Sequence, residues 1–70
     1  MELTNDEKIN IVMQHIKTVS LNIYNLQVLL ISEQAAEPVN EETISNLNNK
    51  IVAETFRAEA LEAELTRLRA

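Results

Sequence analysis

Cysteine, glycine and tryptophan are absent from this 70-residue sequence, and proline occurs once, as Pro38. Without cysteine the chain can form neither a disulfide nor a thiolate metal site. Without glycine, tight β-turns, multistranded sheets and phosphate-binding loops are disfavoured. The single histidine, His15, cannot hold a metal alone, and no nucleophile–base pair accompanies it. The sequence therefore predicts no metal, no cofactor and no enzymatic activity.

Acidic residues are missing from one long stretch, since none lies between Ile9 and Ser32. The charge of this stretch is Lys17 plus whatever His15 carries. Solvated helix faces are usually rich in Glu and Lys, so we expect this stretch to keep little free surface. The whole chain has a net charge of −5 and scattered basic residues, which disfavours nucleic acid as a partner.

Long apolar runs are missing as well. The run at residues 28–31 is far too short to cross a membrane, and the start Met1-Glu2-Leu3 lacks the cationic residues of a signal peptide. We expect a cytoplasmic protein, or one held in a larger assembly, without a membrane partner. At 46% hydrophobic residues, the chain is too apolar for a disordered tail.

Apolar residues recur at alternating steps of three and four, the pattern by which helices pack along one another. We predict an all-α fold with one domain, residues 1–70: helix 1 at about 4–36, a turn at about 37–40 and helix 2 at about 41–69. In an antiparallel hairpin folded about Pro38, facing residue numbers add to about 77. The predicted intrachain core is Ile9, Val12, Ile16, Val19, Ile23, Leu26, Leu30, Ile44, Leu47, Ile51, Ala58, Leu61, Leu65 and Leu68.

Local signals support these boundaries. Thr4 and Glu7 have the spacing of a capping box, and Asn40 is a strong N-cap for helix 2. A single long helix kinked at Pro38 would continue the same heptad phase. That alternative puts polar residues at three successive core positions beside a proline, which costs a helix interior about 3 kcal/mol. We therefore favour the hairpin.

A second apolar row lies on the opposite side of helix 1, and helix 2 has a weaker second stripe. Since a helix with apolar residues on opposite sides must be covered from both, we predict a partner interface. A chain this small also buries too little apolar surface to be very stable as a monomer. The predicted interface residues are Leu21, Tyr24, Val28, Ile31, Val52 and Phe56. The hairpin, coiled-coil-like, is expected to associate into a homo-oligomeric bundle, most simply a four-helix dimer.

Some polar residues allow two interpretations. Glu54 falls in the core row. It is either a buried acid or half of a specificity pair with Tyr24 or Lys50, or, as we favour, it lies at the seam edge with its stem packed and its head in water. His15 is either a pH-sensitive interface contact or, as we favour, a flanking polar residue. The Asn residues inside the helices either fix register or form uncharged surface: Asn22, Asn25, Asn46, Asn48 and Asn49.

Two classes of function remain. The first is a structural or assembly protein that associates with itself or packs inside a larger complex. The second is a small acidic inhibitor or adaptor, of the kind found among phage accessory proteins. It would bind a target protein through helix 1 or through the acidic face of helix 2, which carries Glu59, Glu62 and Glu64. The mass in solution distinguishes the two classes.

Overall fold

The computed structural model describes residues 2–70, which form two α-helices and no strand. Helix α1 spans Asn5–Gln34 and helix α2 spans Glu41–Arg69. They are almost equal in length, at 30 and 29 residues. The predicted all-α class is confirmed.

Helix α1 begins with a capping box. The Thr4 hydroxyl oxygen accepts a 3.1 Å hydrogen bond from the Glu7 backbone N–H, and the Glu7 carboxylate accepts one of 2.9 Å from the Thr4 backbone N–H. This confirms the predicted capping box, which satisfies two backbone donors that a helix start would leave unpaired. Asp6 and Glu7 in the first turn also complement the positive end of the helix dipole.

Helix α1 ends at Gln34, two residues before the predicted end near Ala36. The Ala36 N–H donates to the Glu33 carbonyl at 3.3 Å, three residues back rather than four. This tighter bond closes the last turn before the chain reverses direction. The Glu37–Pro38 peptide bond that follows is cis.

Helix α2 begins directly after Asn40. The Asn40 side-chain oxygen accepts a 3.1 Å hydrogen bond from the Thr43 backbone N–H, so the predicted N-cap is confirmed. At the other end, Arg67 and Arg69 lie in the last turn, where cations complement the negative end of the helix dipole.

The two helices run antiparallel, side by side. The Cα atoms extend 55 Å along the longest axis and 19 and 14 Å along the others. A single helix from residue 5 to residue 69 would be about 100 Å long at 1.5 Å per residue, so the chain is a hairpin and not one kinked helix. The Arg69 guanidinium, at the end of α2, lies 3.8 Å from the Met13 sulfur, near the start of α1.

The seam, where the two helices face each other, is only partly closed. Val19, Leu47 and Leu68 are buried, and every other residue of the predicted intrachain core is half-buried. Half-burial follows from the geometry, because one neighbouring helix covers only one side of another. Since stabilisation scales with the apolar area removed from water, the hairpin alone gains less than a closed bundle would.

Candidate interaction surface

One exposed apolar surface of the hairpin is the outer row of α1, which comprises Leu21, Tyr24, Val28 and Ile31. These side chains are 56%, 65%, 46% and 67% exposed. They follow one another at steps of three, four and three residues, so they form one stripe along the helix. The stripe faces away from α2. Contiguous apolar stripes of this kind on small proteins mark interaction sites.

Helix α2 has a smaller counterpart, the outer pair Val52 and Phe56, which are 52% and 65% exposed. The pair lies on the opposite edge of the hairpin, since it too faces away from the other helix. By the antiparallel pairing, Phe56 sits at about the same height as Leu21. Both predicted interface regions therefore lie in the half of the hairpin nearer the turn, on its two outer edges.

Acidic residues are absent around the outer row of α1 and are concentrated at the turn. The stretch around the outer row of α1 carries no acid between Ile9 and Ser32. Carboxylates gather instead at the turn and its flanks, and no basic residue occurs between Lys17 and Lys50. The turn end of the hairpin is thus uniformly acidic, and its carboxylates are those of Glu33, Glu37, Glu41 and Glu42.

Glu54 interrupts the seam row of α2. Its side chain is 16% exposed, and Oε1 accepts a 3.2 Å hydrogen bond from the Arg57 guanidinium. Oε2 is buried and has no hydrogen-bond partner among residues 2–70. The expectation that the head lies in water is therefore wrong for one oxygen. Arg57 is itself largely exposed, so the ion pair satisfies one oxygen of Glu54 while the other stays buried and unpaired.

A second ion pair lies near the open end of α2. The Arg67 guanidinium makes two hydrogen bonds to the Glu64 carboxylate, one of them 2.7 Å long. These bonds, with a smaller contribution from the charge of Lys8 on α1, lower the pKa of Glu64 below its usual value, and they raise the pKa of Arg67. The pair follows from the i,i+3 spacing of the two residues. Both side chains remain in contact with solvent, so the pair contributes little to stability.

The remaining polar candidates lie at the surface. His15 is exposed, as are Asn22 and the other helix-interior Asn residues. Within the part of the chain that the structure describes, none of these side chains makes a hydrogen bond that links the two helices. In the single hairpin the Asn residues therefore form uncharged surface.

The structure also exposes apolar residues that fall in neither heptad row. Ile11, Met13 and Leu29 are each about half exposed on the sides of α1. The sequence contained the signal, since these positions are apolar and lie outside the a and d positions. They widen the apolar character of α1 beyond the outer row.

Over residues 2–70, no group of His, Cys, Asp and Glu side chains has the arrangement of a metal site, and no cavity is present. Neither described helix is long and apolar enough to cross a membrane. Comparison with protein-family models, with curated proteins and with solved structures finds no match to the chain.

Proposed function

We propose that this chain is a non-enzymatic assembly protein that pairs with a second copy of itself through the outer row of α1. The exposed outer row is the observation that carries the proposal. Four large apolar side chains stand in one stripe, on a stretch of α1 that carries no acid between Ile9 and Ser32. Water is a poor environment for such a stripe, and covering it is the main favourable term in protein association.

The thin seam supports the same proposal. Only three side chains among residues 2–70 are buried, and domains of this size usually need a disulfide, a metal or a partner to fold stably. The chain has no cysteine. A second hairpin laid against the outer row would place α1 between two neighbouring helices and cover both of its apolar sides.

Sedimentation of the chain over a range of concentrations tests the proposal. We expect a reversible dimer. The variant Leu21→Glu with Val28→Glu should sediment as a monomer, because each carboxylate would be desolvated at the contact. The matched control, Val52→Glu with Phe56→Glu, adds the same charge to the outer pair of α2 and should leave the dimer intact. A wild-type chain that stays monomeric at every concentration contradicts the proposal.

The second candidate is the inhibitor or adaptor that binds another protein. The outer pair of α2 favours it, because Phe56 stands exposed on a helix that is otherwise rich in charge, and aromatic residues are enriched at protein interfaces. A monomeric, cooperatively melting wild-type chain would support this candidate over self-association.

A further inference from the structure

We infer that two copies of the hairpin pair with their α1 helices antiparallel, about a two-fold axis that passes near residue 26. This inference rests on the proposed function and adds to it a direction and a register. The steps between outer-row residues, three, four and three, read the same from either end. An antiparallel second copy therefore places its Ile31 opposite Leu21 and its Val28 opposite Tyr24, so every apolar residue meets another.

Charge selects the same direction. In the antiparallel register, Lys17 lies at the height of Ala35 of the second copy, beside the acidic turn that carries Glu33 and Glu37. In a parallel pair, Lys17 of one copy would face Lys17 of the other, and the two acidic turns would lie side by side. Complementary charges at the rim favour the first arrangement, and like charges oppose the second.

Pairing the outer row of α1 with the outer pair of α2 is less complementary. If two hairpins stand side by side at equal height, Leu21 meets Phe56, but Val28 and Ile31 lie at the heights of Asn49 and Asn46. Two large apolar residues would then cover amide groups, which lose hydrogen bonds to water without a replacement. The contact of α1 with itself avoids this cost.

Spin labels on single cysteines test the inference, and the absence of native cysteine makes each label unique. The exposed Gln27 lies close to the proposed axis, and the exposed Gln14 lies far from it. For Gln27→Cys we expect a distance between copies of about 10–20 Å, set by helix spacing and label length. For Gln14→Cys we expect about 35–40 Å, because the two sites are 24 residues apart along the axis at 1.5 Å each.

Short distances at both sites would mean a parallel pair and would overturn the inference. A long distance at Gln27 in a chain that sediments as a dimer would place the contact elsewhere and would also overturn it. Asn25→Cys, on the other side of the row and equally close to the axis, repeats the short measurement if the label at Gln27 disturbs pairing. A chain that sediments as a monomer overturns the proposed function itself, and that result is distinct from a dimer with the wrong distances.

Discussion

The two helices make the same contribution to the seam and differ on their outer sides. Each presents a heptad row to the other, and each begins with a side-chain cap. Outside the seam, α1 exposes a row of four large apolar residues without an acid among them, whereas α2 exposes two residues within a surface of Glu and Arg. A hairpin requires only one apolar stripe from each helix, so the seam of the monomer does not use the second stripe on α1.

The seam rows of the two helices also differ, since the row on α2 is less apolar than the row on α1. Along α1 the seam residues are Ile, Val or Leu throughout, while α2 contributes Glu54 and the small Ala58 near its middle. The row of large apolar residues on α2 is thus interrupted where these two residues follow each other, at about the height of Val19 and Ile23. The comparison shows that α1 carries large apolar residues on two sides, whereas α2 has a carboxylate even in its seam row.

The largest effect is expected from breaking the seam. Leu47→Ala removes a buried side chain and should lower the free energy of unfolding by about 2–4 kcal/mol, through lost burial and the cavity left behind. Leu29→Ala, the same change at a half-exposed site on the side of α1, should cost less than half as much. Urea unfolding at matched protein concentration measures both. Equal losses would mean that the side of α1 is as buried in solution as the seam.

A smaller effect is expected from making the α2 row as apolar as the α1 row. Glu54→Leu removes the unpaired buried Oε2 and completes the seam, so it should be neutral or should raise the free energy of unfolding by about 1 kcal/mol. Glu62→Leu, at an exposed site of the same helix, should give no such gain. Thermal melts of the two variants decide the matter, and a marked loss for Glu54→Leu would reveal a stabilising role for its bond to Arg57.

Much of this fold follows from periodicity and end signals in the sequence. The heptad steps define two helices and the side of each that is buried or half-buried, and the positions of Thr4, Glu7 and Asn40 define the caps. The second stripe on α1 is also readable, because apolar residues at Leu21 and Ile31 have no role in a seam that runs along the other side. These features depend only on the spacing of apolar and capping residues along the chain, which can be read directly from the sequence.

Other features depend on details that spacing does not contain. The end of α1 at Gln34 follows from how the last turn tightens to reverse the chain, which several backbone angles together determine. The burial of Glu54 Oε2, beside an Oε1 that accepts a hydrogen bond from Arg57, depends on the conformation of a single side chain. A heptad frame assigns Glu54 to the seam but says nothing about which of its two oxygens meets water.

Charge at the ends of the outer row should have a modest effect on pairing. Lys17→Glu should raise the dimer dissociation constant about threefold, because an exposed ion pair is worth about 0.2–1 kcal/mol. Adding Glu37→Lys to that variant should restore pairing, since the signs are then exchanged between the two copies. Lys50→Glu makes the same change in net charge on α2 and should have a weaker effect. Sedimentation at low salt measures all three, and a double variant that pairs no better than Lys17→Glu would contradict the antiparallel register.

The smallest effect concerns the start of α1 and depends on pH. Hydrogen bonds from the Thr4 backbone and side chain lower the pKa of Glu7 below its usual 4.5. Because the folded state favours the charged form, this contribution to stability is complete above the usual pKa and is lost as the pH falls through it and below. Glu7→Gln keeps an acceptor for the Thr4 amide but carries no charge. The melting temperatures of the variant and the wild type should therefore differ most near pH 7 and converge towards pH 3.

Glu64→Gln on α2 is the matched case, since Arg67 lowers the pKa of Glu64 and gives its contribution the same sign and the same pH window. Both differences should be a few degrees or less, because the groups are exposed and solvent screens them. Added salt should shrink the Glu64→Gln difference more, since that carboxylate is paired with a charged group, while Glu7 is bound mainly to a backbone amide. A Glu7→Gln difference that stays constant from pH 7 to pH 3 would show that the capping bond, and not the charge, sets the contribution of this residue.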